Sequence, residues 1–376
     1  RTAGCDRDRV SRDGKEAGVG LFFGKSRRRK KSRSLLASLP LIRWVGPLAT
    51  VAAVMMGGGA VLSGKVDLSV LDMYRGVNPD TPPAQPVSLT ALGNRSESSV
   101  VIATFNIENF GEAKANKPHV METLAKIISR FDLVAIQELR NSPAHLERLI
   151  RLVNQNGGQY AFVASQPLGE PRNEMYAYVW DTRRIAFLPG SNYVVNDEAD
   201  LMYREPMISS FETIPADPNQ PPFRFTLMNV HTDPDTIRLS GQQNELNILD
   251  DVYLNVATYE YQVRQIDDFI LLGDLNAPAD GLGELGAIPE VVTLVQNMVT
   301  NTAKKSTLDH ILIDRGMTTE YTGRFGVVDY ERDLGMTREA FDEVSDHMPV
   351  WAEFSMVRRP IAAAQVASQP QTSQTQ

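Results

Sequence analysis

Six short stretches end an apolar run with groups able to do chemistry. FNIENF carries Asn106 and Glu108, AIQELR carries Glu138 and Arg140, and LMNVHTD carries His231. LLGDLNAP adds Asp274 and Asn276, STLDHIL adds Asp309, and SDHMPVW sets Asp346 beside His347. Carboxylate and amide oxygens without sulfur suit Mg²⁺, Mn²⁺ or Ca²⁺ and not structural zinc. An imidazole oriented by a carboxylate is a sound general base near neutral pH. Asn106/Glu108 and Asp274/Asn276 are each two residues apart, so both members of a pair can face one side of a strand. Each stretch also has a bland reading. Asp-x-Asn after a strand commonly closes an Asx turn, a lone histidine is more often a satisfied core residue, and Asp309 could cap a neighbour. Their number and shared position at strand ends favour one site. His119 and His145 fall at helix starts, and His310 alternates away from Asp309, so these three read as structural or surface residues.

The elements that must hold these groups alternate along 98–356. SVVIATFNI (99–107) is rich in β-branched residues and reads as a buried strand. Val120, Leu124, Ile127 and Ile128 recur at helical spacing, and FDLVAIQEL (131–139) returns to strand. Ser142-Pro143 opens a second helix with a cap and a proline at its first position, and Asn156-Gly157-Gly158 closes it. MYAYVWD, FRFTLMNVH, DFILLGDLN, LDHILID and PVWAEF are further strands, with a long helix expected around 241–263. Pro349 cannot donate to a ladder, so it delays the last strand to about Val350 and leaves Asp346 and His347 on irregular backbone. The fold class is α/β, with many strands and few helices.

The chain has 376 residues, with 42% hydrophobic, enough for a large core. Residues 1–43 hold 13 Lys/Arg against 4 Asp/Glu, and the remainder holds 25 against 42. An acidic body argues against tight electrostatic binding of duplex nucleic acid, though not against brief contact. Cys5 is the lone cysteine, which excludes an internal disulfide. The basic arm 1–43 precedes an uncharged stretch, 44–64, long enough to span a bilayer. The positive flank predicts a transmembrane signal anchor or a signal peptide, with the body exported to the non-cytoplasmic side. Residues 65–97 read as a linker and 357–376 as a disordered tail.

Taken in order, FNIENF, DLVAIQELR, VHTDPD, GDLNAP, STLDHIL and SDHMPVW resemble the endonuclease/exonuclease/phosphatase superfamily, and the likeness covers 98–356. It runs furthest towards the deoxyribonuclease I-like nucleases, through IQELRNS, QPLGE, NEMYAYVW, YREPMISSF and DDVYLNV. The resemblance implies a four-layer α/β/β/α sandwich with a metal-dependent site at one end. It implies Glu138 as the main Mg²⁺ ligand, with Asn106, Asp346 and Glu108 in or near the metal shell. It implies that Asp274 and Asn276 position phosphate and water, that His347 pairs with Asp309, and that His231 pairs with Glu174. Arg140 and Arg204 match arginines aimed at phosphate oxygens. Glu108 stands where such nucleases carry a DNA-contacting arginine, and Arg172 where they carry a groove-contacting tyrosine, with phosphate contact still open to Arg172. The expected function is Mg²⁺-dependent hydrolysis of phosphodiesters in nucleic acid, DNA ahead of RNA. The alternatives are the same chemistry on a sphingomyelin-like lipid or inositol phosphate, and a catalytically dead binding module.

Overall fold

A computed structural model describes residues 85–92, 95–140, 142–171 and 173–359. The basic arm, the 44–64 stretch and Arg172 lie outside the described residues. Among the described residues no helix is long and apolar enough to cross a membrane.

Among the described residues fourteen strands form two mixed sheets. The first sheet contains β1 (Gln85–Pro86), β2 (Ser99–Phe110), β3 (Leu133–Arg140), β4 (Tyr160–Ala164), β5 (Glu174–Asp181), β13 (Tyr321–Val327) and β14 (Val350–Ser355), in the order β1-β13-β14-β2-β3-β5-β4. The second contains β6 (Ile185–Phe187), β7 (Tyr193–Val194), β8 (Met207–Thr213), β9 (Arg224–His231), β10 (Asp268–Asp274), β11 (Val291–Thr293) and β12 (Asp309–Asp314). Its order is β11-β12-β10-β9-β8-β6, with β7 paired to β8. Three long helices flank them: α1 (Pro118–Ile128), α2 (Ala144–Gln155) and α3 (Leu246–Arg264). The result is the expected two-sheet α/β sandwich.

Alternation along the strands builds the layers. In β10, Ile270 and Leu272 join one apolar cluster with Phe105, Ile136 and Phe354 of the first sheet. Phe269 and Leu271 turn the other way and pack with Leu249 and Tyr253 of α3. Neighbouring strands repeat this: Phe225, Leu227, Ile311 and Ile313 face the sheet–sheet core, while Met228, Val230 and Leu312 face α3. By the same parity His231, Asp274 and Asp309 belong to the inter-sheet side at its rim. His310 points to the helix side, where it is buried between Thr293 and the Ala277 carbonyl. His119, in contrast, is exposed beside Glu343.

Two boundaries differ from the sequence reading. Part of the expected linker belongs to the domain: β1 pairs in parallel with β13, and Arg95 bonds buried Asp132 and Asp181 at 3.0 and 2.8 Å. At the other end Val357 bridges Pro222, and Arg358 pairs with Asp267 at 2.5 Å. The polar look of these segments reflects ion pairs that only the fold supplies. The second helix begins at Ala144, with Pro143 just ahead of it. A 3₁₀ turn, Gly241–Gln243, precedes the long third helix.

Candidate active site

Strand register brings the rim groups together. In the second sheet His231 lies opposite Asp274, and Asp274 opposite Asp309, across three adjacent strands. In the first sheet Arg140 lies opposite Glu174. Here both ladders become irregular: the β2–β3 register shifts between Asn106 and Phe110, and the β3–β5 register between Ile136 and Leu139. Glu108, Asn109, Glu138 and Asn276 take positive φ of 36°, 51°, 60° and 52°. Left-handed backbone at a non-glycine residue costs about 1–3 kcal/mol and persists where surrounding structure imposes it, commonly at functional sites.

One carboxylate oxygen sits at the centre. Asp274 Oδ2 accepts the Asn106 amide at 3.0 Å and lies 3.6 Å from Nε2 of both His231 and His347. Each imidazole is held from behind through Nδ1, His231 by Glu174 at 2.9 Å and His347 by Asp309 at 2.8 Å. The His347 backbone N–H donates to Ser345 Oγ, which itself donates to the Asn106 carbonyl, so the last loop is tied to β2. Burial opposes charge on Asp274, but the two imidazoles and the Asn276 and Asn106 donors outweigh it and lower its pKa. Burial also opposes charge on His347, yet Asp309 and Asp274 raise its pKa well above the ordinary imidazole value. Glu174 is drawn down to about 2: burial works against its charge, and His231, Arg204 and Arg140 overcome that.

A second group of acids lies beside the first. Glu138 accepts the Asn106 amide at 3.1 Å and the Asn109 backbone N–H at 2.9 Å, and Arg140 approaches it at 3.4 Å. Asp346 is exposed, and its pKa is raised by partial burial and by the anions Glu108 and Glu138. Crowded carboxylates at an open rim, all hard oxygen donors, fit a divalent cation such as Mg²⁺. Two tighter sets, Glu138–Glu174–His231 and Asp274–Asp309–His347, also converge closely enough to ligate. Their histidine Nδ1 atoms, however, are already bonded to Glu174 and Asp309.

Residues 103–347 match the family described as Endonuclease/Exonuclease/phosphatase family. The chain belongs to that family. It is 30% identical over 269 residues to Deoxyribonuclease-1-like 1 of Sus scrofa, covering 68% of this chain and 80% of that protein. It is 27% identical over 286 residues to Deoxyribonuclease gamma of Homo sapiens, covering 70% and 89%. A solved endonuclease/exonuclease/phosphatase from Bacteroides vulgatus superposes with a TM-score of 0.49 at 12% identity, covering 69% of this chain and all of that one.

Within this family member, three side chains depart from the sequence reading. Arg204, expected at phosphate, is 2% exposed. Its donors go to the His231 and Thr232 carbonyls, each at 2.9 Å, and to Glu174 at 3.2 Å, so it faces inward. Asn106, expected as a metal ligand, turns its amide nitrogen to Glu138 and Asp274 and accepts the Glu108 N–H on its oxygen. The Asn276 amide nitrogen is engaged with the Thr232 carbonyl at 2.9 Å. Arg140 stays at the rim, paired with Glu138 and Glu174.

Sequence reasoning missed Lys114 and Ser345. The Lys114 ammonium binds Glu108 and the carbonyls of Ile107 and Val344, tying the end of β2 to the loop before Asp346. Burial lowers its pKa, against the pull of Glu108. Nothing in FGEAK marks that lysine, because its partner carbonyl is more than two hundred residues away.

Proposed function

We propose that this chain is a divalent-metal-dependent phosphodiesterase, a deoxyribonuclease I-like endonuclease that cleaves DNA. One observation carries the reading: two imidazoles, each backed by a carboxylate, flank the same Asp274 oxygen at 3.6 Å. Hydrolysis of a phosphodiester needs a proton taken from the attacking water, a proton given to the leaving oxygen, and compensation of charge on the phosphoryl oxygens. The pairs divide the first two tasks. His347, oriented by Asp309, takes the proton from water as the new P–O bond forms. His231, oriented by Glu174, donates to the departing oxygen as the old P–O bond breaks. Asp274 places water and phosphate between them, and Arg140 adds positive charge at the rim. Glu138 and Asp346, with Glu108 nearby, would hold Mg²⁺. When bound, the ion supplies charge to the phosphoryl oxygens and offsets the anions that keep His347 protonated.

The similarity to deoxyribonucleases supports nucleic acid as substrate. The test is hydrolysis of supercoiled plasmid, RNA, sphingomyelin and inositol phosphates by the purified chain, with Mg²⁺ and with EDTA. Mg²⁺-dependent nicking of plasmid is the expected result. Turnover confined to sphingomyelin or inositol phosphate would replace the substrate class, and no turnover on any of them would overturn the enzyme reading.

A further inference from the structure

Glu245 is 1% exposed and sits immediately before α3. Its backbone carbonyl starts that helix, accepting the N–H groups of Ile248 and Leu249. Its carboxylate does not cap its own helix. One oxygen accepts the backbone N–H of Tyr203, and the other accepts that of Asp233 at 2.7 Å. A buried carboxylate is costly unless hydrogen-bonded, so these two donors define where the side chain can sit. They also join two loops that meet nowhere in sequence: Tyr203 adjoins Arg204, and Asp233 lies two residues after His231.

Those loops close around the His231 segment. The His231 N–H donates to the Tyr176 hydroxyl oxygen at 2.9 Å, and the His231 carbonyl accepts from Arg204. The Thr232 carbonyl accepts from both Arg204 and Asn276, each at 2.9 Å, and the Thr232 N–H donates to the Asp274 carbonyl at 3.1 Å. The Tyr203 ring covers the Arg204 guanidinium, 4.9 Å from ring centroid to Cζ. Arg204 then reaches Glu174, which holds the imidazole of His231. Every polar backbone atom of residues 231–232 is thereby engaged with protein, and Glu245 anchors both the loop that carries Arg204 and the residue that follows. We infer that Glu245 is a positioning residue for the phosphodiester chemistry: it fixes His231 by clamping Tyr203–Arg204 to Asp233.

This rests on the reading of the chain as a phosphodiesterase. A purely structural Glu245 would change stability and leave turnover below the unfolding transition intact. The positioning role predicts that Glu245→Ala lowers kcat about tenfold to a hundredfold while KM stays within about twofold, because a small misplacement of an acid–base group costs rate. Glu245→Gln keeps one acceptor oxygen and should recover part of the loss. With five histidines in the chain, the ring N–H resonances of isotope-labelled protein can be assigned one by one. The His231 Nδ1–H signal should broaden or exchange with solvent faster in Glu245→Ala, while the His310 signal stays unchanged. Should the alanine variant fail to fold, the glutamine variant carries the same two readouts. Full kcat in a folded variant, or lost kcat with an unmoved His231 signal, overturns the inference. A wild-type chain without phosphodiesterase activity would instead overturn the functional reading, and the resonance comparison would still decide whether Glu245 fixes His231.

Discussion

His347 and His231 each place Nε2 3.6 Å from the same Asp274 oxygen, with Asp309 and Glu174 behind them. On this account His347→Ala removes the group that accepts the proton from water. Activity should fall about 10²–10⁴-fold with the circular dichroism spectrum unchanged. Glu138→Ala should be equally inactive, and its loss should not be recovered at ordinary Mg²⁺ concentrations. The two arginines separate by burial. Arg204→Ala removes one donor each from Glu174 and the His231 and Thr232 carbonyls in a dry setting. It should destabilise the domain by about 3–5 kcal/mol, read as a lower denaturation midpoint. Arg140→Ala, at the rim, should cost far less stability and act mainly on turnover. Equal stability losses in the two variants would contradict this assignment.

At the scale of elements, the ends of β9, β10 and β12 deliver the site, and Gly273 shows how tightly they are built. Its φ is 144°, and a Cβ placed there would lie 1.9 Å from the Val230 carbonyl oxygen. Gly273→Ala must therefore push β10 away from β9, displacing Asp274 from the two imidazoles. Both the thermal midpoint and turnover should drop, and a variant with wild-type values for either would refute the argument. The strands themselves were legible in the sequence because their apolar runs end in chemistry-bearing residues, and Pro349 marked the start of β14 at Val350. The pairing of His347 with Asp309 and of His231 with Glu174, expected from the family resemblance, is present in the structure. What remained hidden depends on contacts distant along the chain. Arg204 was expected at phosphate from the family resemblance, which says nothing about its burial. Glu245 carried no local signal, since its partners are backbone N–H groups of two other loops, and Lys114 gave none of its distant tie to the Val344 carbonyl. The left-handed turn at Glu138 arises from register shifts that a linear pattern does not display.

Across the whole molecule the inter-sheet layer has two polar ends, and β10 spans both. Asp274 marks the end with the histidines, and Asp268, on the same face of the strand, marks the other. There Asp268 and Glu320 are each 1% exposed, with Asp267 and Arg358 beside them. Burial first, then Glu320 and Asp267, raises the Asp268 pKa well above its ordinary value, against the pull of Arg358. The Glu320 pKa is raised too, chiefly by burial. The folded protein therefore keeps protons that the unfolded chain releases above the ordinary carboxylate range. Stability should fall as pH rises through that window, by up to about 1.4 kcal/mol per pH unit for each proton retained. Asp268→Asn should flatten the slope and be relatively more stable at pH 7–8 than at pH 4–5. Parallel stability–pH curves for the two proteins would contradict this reading. At the opposite end two histidine–acid pairs, His347–Asp309 and His231–Glu174, flank Asp274. Single-turnover hydrolysis of a phosphodiester in Mg²⁺ should be compared among the wild type, His347→Ala, His231→Ala and the double variant. Each single variant should lose a hundredfold or more, with the double variant losing much less than the product of the two. Turnover within tenfold of wild type in either single variant would contradict it.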